Sequence, residues 1–245
     1  MINRLPFLIV LLALSACTTT SLSPAPGARR DPASANVAIG EFASVTVTVQ
    51  ADAWPGSSAV SRTVEPLQVT INNGGTRPIR VRYGDFALIA PDGRRYSALP
   101  PFRVQGQLLD PMLADGYLPY PMPGFRYRRF YVAPYYAPIY PGIPVYGGFS
   151  YYLYDPFYYE FYYRNLLSTI QPTMEMLDLA LPEGVIEPGG SVTGFLYFQR
   201  VSRNETSVAF RQDLVEVGDG SGPTGAAGAD IGQISIPFMV TRERG

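Results

Sequence analysis

The chain has 245 residues, of which 47% are hydrophobic and 13% aromatic, with a formal net charge of −1. It contains no histidine and one cysteine, and all 19 of its basic residues are arginine. That inventory excludes a Ser-His-Asp triad, histidine metal ligands, lysine Schiff bases, Walker-type phosphate loops and a disulfide within the chain. The near-neutral balance, with no long basic run, speaks against nucleic acid as a partner.

The first residues, Met1-Ile2-Asn3-Arg4, carry one positive charge, and Leu5 to Leu14 is an apolar run broken only by Pro6. A charged start before about ten apolar residues is the layout of a secretory signal peptide, and the run is too short to span a bilayer. Residues 17–36 are small, polar and proline-rich, a composition that buries little apolar surface, and they are expected to form a flexible tether. Such a tether would reach about 25 Å.

Strand patterns follow. Val45, Val47 and Val49 alternate with polar residues, as do Leu67, Val69 and Ile71, and then Ile79, Val81 and Tyr83. Each series places apolar side chains on one face, the mark of a half-buried strand. Asn72-Asn73-Gly74-Gly75 predicts a turn between the second and third series. Phe86 to Ala90 predicts another strand, Pro91-Asp92-Gly93 a turn, and Arg95 to Ala98 a returning strand.

The middle of the chain changes character. Residues 117–163 hold 15 of the 18 tyrosines and eight prolines. The prolines favour extended backbone. Further on, Asp155-Pro156 predicts a helix start, with a helix over 157–170 and a second short one over 173–181. Glu187-Pro188-Gly189-Gly190 predicts a turn, Val192 to Val201 and Ser207 to Val217 predict strands, and a glycine-rich loop precedes a last strand over 234–240. Pro237 predicts that this last strand lies at an edge or carries a bulge.

These elements predict a mainly β fold: an antiparallel, immunoglobulin-like sandwich over 37–245, interrupted by a Tyr/Pro-rich insertion at about 101–180, with one or two short helices. Val69 and Phe198 are expected in its core. The insertion is expected to be separable from the sandwich and to carry an interaction surface made of Tyr127, Tyr131, Tyr135, Tyr136, Tyr140, Tyr146, Tyr151 and Tyr152 with Arg126, Arg128 and Arg129. Tyrosine offers a flat apolar face and a hydroxyl, which suits protein interfaces and glycan rings. The competing expectation is that these rings cover the sandwich and pack on one another. No cofactor and no metal are expected.

Two resemblances extend this reading. Leu14-Ser15-Ala16-Cys17 closely resembles the lipobox of bacterial lipoproteins. The resemblance implies cleavage before Cys17, leaving 1–16 as the leader, a diacylglyceryl thioether and an added acyl chain on Cys17, and membrane anchorage. Because Thr18 and not aspartate follows, it further implies an outer-membrane address facing the periplasm. The order of Asn72-Asn73-Gly74-Gly75, Asp85-Phe86-Ala87-Leu88 and Pro91-Asp92-Gly93 is similar to the immunoglobulin-like DUF4352-type domains. So is the later series Leu181-Pro182-Glu183-Gly184, Pro188-Gly189-Gly190 and Gly194-Phe195-Leu196-Tyr197-Phe198. That resemblance concerns fold alone.

The function expected from these readings is a non-enzymatic envelope lipoprotein with an interaction or assembly role. The alternatives are a carbohydrate- or peptidoglycan-binding module and a hydrolase using carboxylates alone. The hydrolase needs two facing carboxylates, for which Asp85 with Asp92 and Asp155 with Glu160 are the candidates.

Overall fold

The computed structural model describes residues 18–101, 124–137, 139–140, 142–146, 173–217 and 228–244. The expected helix over 157–170, Asp155, Glu160, Tyr151, Tyr152, most of the glycine-rich loop and the leader lie outside them.

The described chain is mainly β, as the alternation predicts. In order it runs β1 (Thr18–Pro24), β2 (Arg29–Asp31), β3 (Ser34–Phe42), β4 (Val45–Gln50), α1 (Ser58–Thr63) and β5 (Val64–Asn73). Then come β6 (Ile79–Val81), β7 (Phe86–Ile89), β8 (Arg95–Leu99), β9 (Arg126–Val132) and α2 (Met174–Leu179). The last three strands are β10 (Gly184–Gln199), β11 (Ser207–Val215) and β12 (Asp230–Arg244). All pairings between these strands are antiparallel.

The order across the sheet is β1-β12-β11-β7-β8-β10-β5-β4-β3-β2, with β6 and β9 also paired to β10. The two layers of the sandwich meet at β8, which changes partner along its length. Arg95, Tyr96 and Ser97 pair with β7, while Ala98 and Leu99 pair with β10. A strand that switches sheets makes such a corner. At the opposite side β3 crosses β12 closely enough that a Cβ on Gly40 would stand 2.4 Å from Ile234 Cγ2, so the sheet curls nearly closed.

Between the layers lie Val45, Val47, Val49, Leu67, Val69 and Ile71 from one side and Phe86, Leu88, Phe210, Ile236 and Phe238 from the other. Val69 and Phe198 are fully buried, as expected. Phe210 links the layers, with ring centroids 6.0 Å from Phe198 and 6.2 Å from Phe86. A second apolar cluster lies on the outer face of β10, where Phe195 and Tyr197 are covered by Trp54, Val60 of α1 and Met176 of α2. Trp54 meets both rings edge-on, at 5.1 and 5.7 Å. Both faces of β10 are therefore covered from Gly194 to Phe198, which explains an apolar run where alternation would otherwise rule.

Several expectations are corrected. Residues 18–36 are not a tether: β1 pairs with β12 along its whole length, from Thr18 opposite Arg244 to Pro24 opposite Phe238, and β2 and the start of β3 follow. Their composition is poor in large apolar residues, but backbone pairing needs few of them, and Thr20 and Leu22 turn inward and are buried. Asn72-Asn73-Gly74-Gly75 does not reverse the chain. β5 and β6 both run antiparallel to β10, against Ser191–Gln199 and Gly184–Ile186 respectively, so the residues between them form a bulge. Buried Asn73 holds it, donating to the carbonyls of Arg77 and Ile186 at 2.8 and 2.9 Å. Glu187-Pro188-Gly189-Gly190 is the matching irregularity inside β10.

The last strand does carry an irregularity, but between Asp230 and Gly232, away from Pro237, and it is not an edge, since β12 lies between β1 and β11. Pro237 is tolerated there because its face toward β1 comes where that strand ends; the Pro237 carbonyl accepts from Ala25 N–H at 3.0 Å, just past the pairing. The hairpin at Pro91-Asp92-Gly93 is as expected, with Gly93 at φ +86. The short helix over 173–181 is present as α2, capped by Thr173, whose hydroxyl accepts from Met176 N–H at 3.2 Å.

Candidate interaction face on β9

The Tyr/Pro-rich segment was expected to stand apart from the sandwich, yet its described part contributes a strand to it. β9 pairs with β10 in two stretches, 126–128 against 193–191 and 130–132 against 186–184. Between them Arg129 takes a left-handed conformation at φ +49. Two glycines allow this approach. A Cβ on Gly184 would fall 2.1 Å from the Tyr131 carbonyl oxygen, and one on Gly190 would fall 2.8 and 2.9 Å from those of Arg129 and Arg128. Phe125, Phe130, Val132, Ala133, Tyr136, Tyr140 and Ile143 all enter the main core. The expected separability is therefore corrected: removing 125–146 removes core as well as surface.

The predicted tyrosines divide into two groups. Tyr136 and Tyr140 are not surface residues. They are fully buried and stacked, with centroids 6.1 Å apart and an interplanar angle of 18°. The Tyr140 hydroxyl donates to the Leu177 carbonyl at 2.8 Å, and Tyr136 shares a side-chain hydrogen bond with Tyr83. Burial, then the nearby Asp178, pushes the Tyr140 phenol well up. Tyr127 is 40% exposed and leans on Phe125 at 5.6 Å. Tyr131 and Tyr146 are half-buried and meet edge-on at 6.1 Å. Partial burial, then the charge of Glu187, raises the Tyr146 phenol. Arg126, Arg128 and Arg129 are all exposed. The side chain of Tyr135 and both Tyr151 and Tyr152 lie outside the described residues.

The structure makes Arg126, Tyr127, Arg128 and Arg129 four consecutive exposed residues on one strand, with Arg126 and Arg128 on its outer face and Tyr127 at the rim of the face that carries Val192 and Ile71. It also places beside them a polar surface that was not singled out. Arg126 stands opposite Thr193, and the row continues through Thr70 to Thr48. Arg128 stands opposite Ser191, and that row continues through Asn72 to Thr46. Thr70 and Thr193 share a hydroxyl hydrogen bond of 2.9 Å. The threonines of these strands were visible as the polar half of the alternation, but nothing local showed that the arginines would join their rows.

Of the candidate carboxylate pairs, Asp85 and Asp92 do not face one another, and Asp155 with Glu160 lies outside the described residues. Asp85 is buried and gripped by Arg80, with contacts of 3.0 and 2.6 Å, whereas Asp92 is exposed on the hairpin beside Arg94 at 3.2 Å. Among the described residues no three His, Cys, Asp or Glu side chains are grouped to hold a metal, and no helix is long and apolar enough to cross a membrane. No family model, curated protein or solved structure matches the chain.

Proposed function

We propose that this protein is a non-enzymatic lipoprotein of the bacterial envelope, anchored through Cys17 to the periplasmic side of the outer membrane, whose sandwich presents β9 to an envelope partner. The observation that carries the interaction is the run Arg126-Tyr127-Arg128-Arg129, exposed on a strand whose position is fixed by its ladder to β10. A rigid strand presents arginine and an aromatic ring at little entropic cost on binding, and both residue types are favoured at the centre of interfaces. The anchor rests on the likeness of Leu14-Ser15-Ala16-Cys17 to a lipobox.

A photo-crosslinking residue in place of Tyr127 should yield a discrete envelope adduct, while the same residue in place of Asp92, on the exposed β7–β8 turn, should not. Equal labelling from both positions, or none, rejects the interaction. In parallel, Cys17→Ala should leave the chain unprocessed or release it from the membrane fraction.

A glycan or peptidoglycan ligand is the second reading. It is favoured by the row of hydroxyls from Thr48 through Thr70 to Thr193, which ends on the exposed Arg126. It predicts that the intact protein co-sediments with peptidoglycan and that Arg126→Ala with Arg128→Ala abolishes this.

A further inference from the structure

The strand that replaces the expected tether has a consequence for orientation. Thr18 opens β1 and directly follows Cys17, so the two Cα atoms are about 3.8 Å apart. A lipid on Cys17 would therefore hold one end of the sandwich at the level of the headgroups, with no spacer between.

That end is rich in arginine. Across from Thr20 stands Arg242, and across from Thr18 stands Arg244. Arg242 Nε donates to the Arg203 carbonyl at 3.0 Å, which brings the loop after β10 to the same end. Arg200 ties the parts together, donating to the Thr20 carbonyl at 3.2 Å and to the Ser61 carbonyl of α1. Arg62 follows Ser61, and Arg62, Arg203 and Arg242 are all exposed. The acidic groups here are fewer. Asp52 is exposed, Glu243 stands opposite Thr19 in the register, and Glu65 is buried beside Arg200. Arg94 is outnumbered by Asp92 and Glu205, so that group carries a formal charge of −1 and adds nothing positive to the face.

We infer that the end of the sandwich where β1 begins lies flat against the bilayer, with Arg62, Arg203 and Arg242 on the headgroups of anionic phospholipids. The orientation follows from reading Cys17 as the anchor; the affinity of the face for anionic lipid does not depend on it. Each arginine near an anionic surface strengthens partitioning about fivefold. The attraction is screened beyond about 10 Å at 0.1 M salt, a distance that only the end nearest the anchor satisfies. Face and anchor then act as two signals, holding the domain in one orientation instead of letting it swing.

The test uses a chain that starts at residue 17 with Cys17→Ser. This contains every described residue and carries no lipid. Its flotation with phosphatidylcholine vesicles should be negligible. With vesicles containing phosphatidylglycerol it should be measurable at low salt and lost at high salt. Arg203→Glu with Arg242→Glu should lower binding by more than about twentyfold, whereas the same charge change at Arg126 and Arg128 should leave it as it was. Arg62→Glu, on α1, reads the same effect should the first pair fail to fold. Binding that is absent, insensitive to salt, or weakened equally by both pairs overturns the inference. The mass of the N-terminal peptide from membrane-extracted protein reports on the anchor separately: an unmodified Cys17 with salt-sensitive binding removes the anchor and leaves the face.

Discussion

Glu65 stands on the inner face of β5, opposite Phe198 on β10, at the end of the sandwich that β1 closes. It is buried, and its Oε2 lies 3.6 Å from Arg200, too far for a hydrogen bond, and has no other partner among the described residues. Burial outweighs the attraction of Arg200, Asp52 adds repulsion, and the carboxyl is pushed up from 4.5 to about 7. Between those two values the folded chain holds a proton that the unfolded chain has released, so stability falls as pH rises through this window and levels off above it. The shift corresponds to about 3 kcal/mol. Glu65→Gln should therefore be more stable than the parent at pH 8, with the difference shrinking toward pH 5. Urea unfolding of both proteins across this range checks it; a constant difference would show that Glu65 does not titrate near neutrality. The alternation of Leu67, Val69 and Ile71 carries Glu65 onto the inner face, but nothing in Val64-Glu65-Pro66 itself shows that this end of the face is covered.

Buried tyrosines hold α2 in a comparable way. The hydroxyls of Tyr197, Tyr140 and Tyr83 donate to the carbonyls of Met176, Leu177 and Leu181, at 2.9, 2.8 and 2.7 Å. The last carbonyls of a helix lack partners within it, and a helix as short as α2 has little else to fix its end. Tyr140→Phe leaves the Leu177 carbonyl unsatisfied in a dry site and should cost about 1–2 kcal/mol in chemical denaturation. An unchanged midpoint would mean that water reaches that carbonyl. The tyrosine enrichment was plain from the sequence, but the division between core and surface was not. Tyr136 and Tyr140 face inward because the chain turns at Pro134–Tyr136 just after β9, a turn that proline content alone does not locate.

At the scale of elements, local patterning identified the strands, and long-range pairing decided what joined them. The alternation at 45–50, 67–71 and 86–98 became β4, β5 and the β7–β8 hairpin. Asn72-Asn73-Gly74-Gly75 has the composition of a hairpin turn, but the partner of β5 and β6 is β10, more than a hundred residues away, so the same residues make a bulge. Arg126 to Val132 gave no clean alternation because Arg129 interrupts the pleat. The glycines of β10 supply the missing signal. Gly184 lies where β9 crosses, and its substitution is the sharpest test of that pairing. Gly184→Ala drives a methyl group into the Tyr131 carbonyl and should destabilise the fold by about 1–3 kcal/mol or more through overpacking. It should also raise hydrogen exchange at the amides of residues 130–132. A well-folded variant with those amides still protected would contradict the β9–β10 register.

In the molecule as a whole, the sandwich begins at Thr18, one residue after the proposed anchor at Cys17, and β9 presents exposed arginines from the sheet. The proposed anchor rests on the composition and order of the leader, the features by which signal peptides are recognised. The mainly β fold was legible because half-buried strands alternate. The absence of a tether was not, since β1 owes its order to backbone pairing with β12 more than to apolar side chains. Whether a lipid sits directly against this strand is decided by the mass of the N-terminal peptide released from protein extracted from envelopes. The account predicts a peptide that starts at Cys17 and carries the mass of a diacylglyceryl group and a further acyl chain. A peptide that starts elsewhere, or one with a free thiol at Cys17, would contradict it.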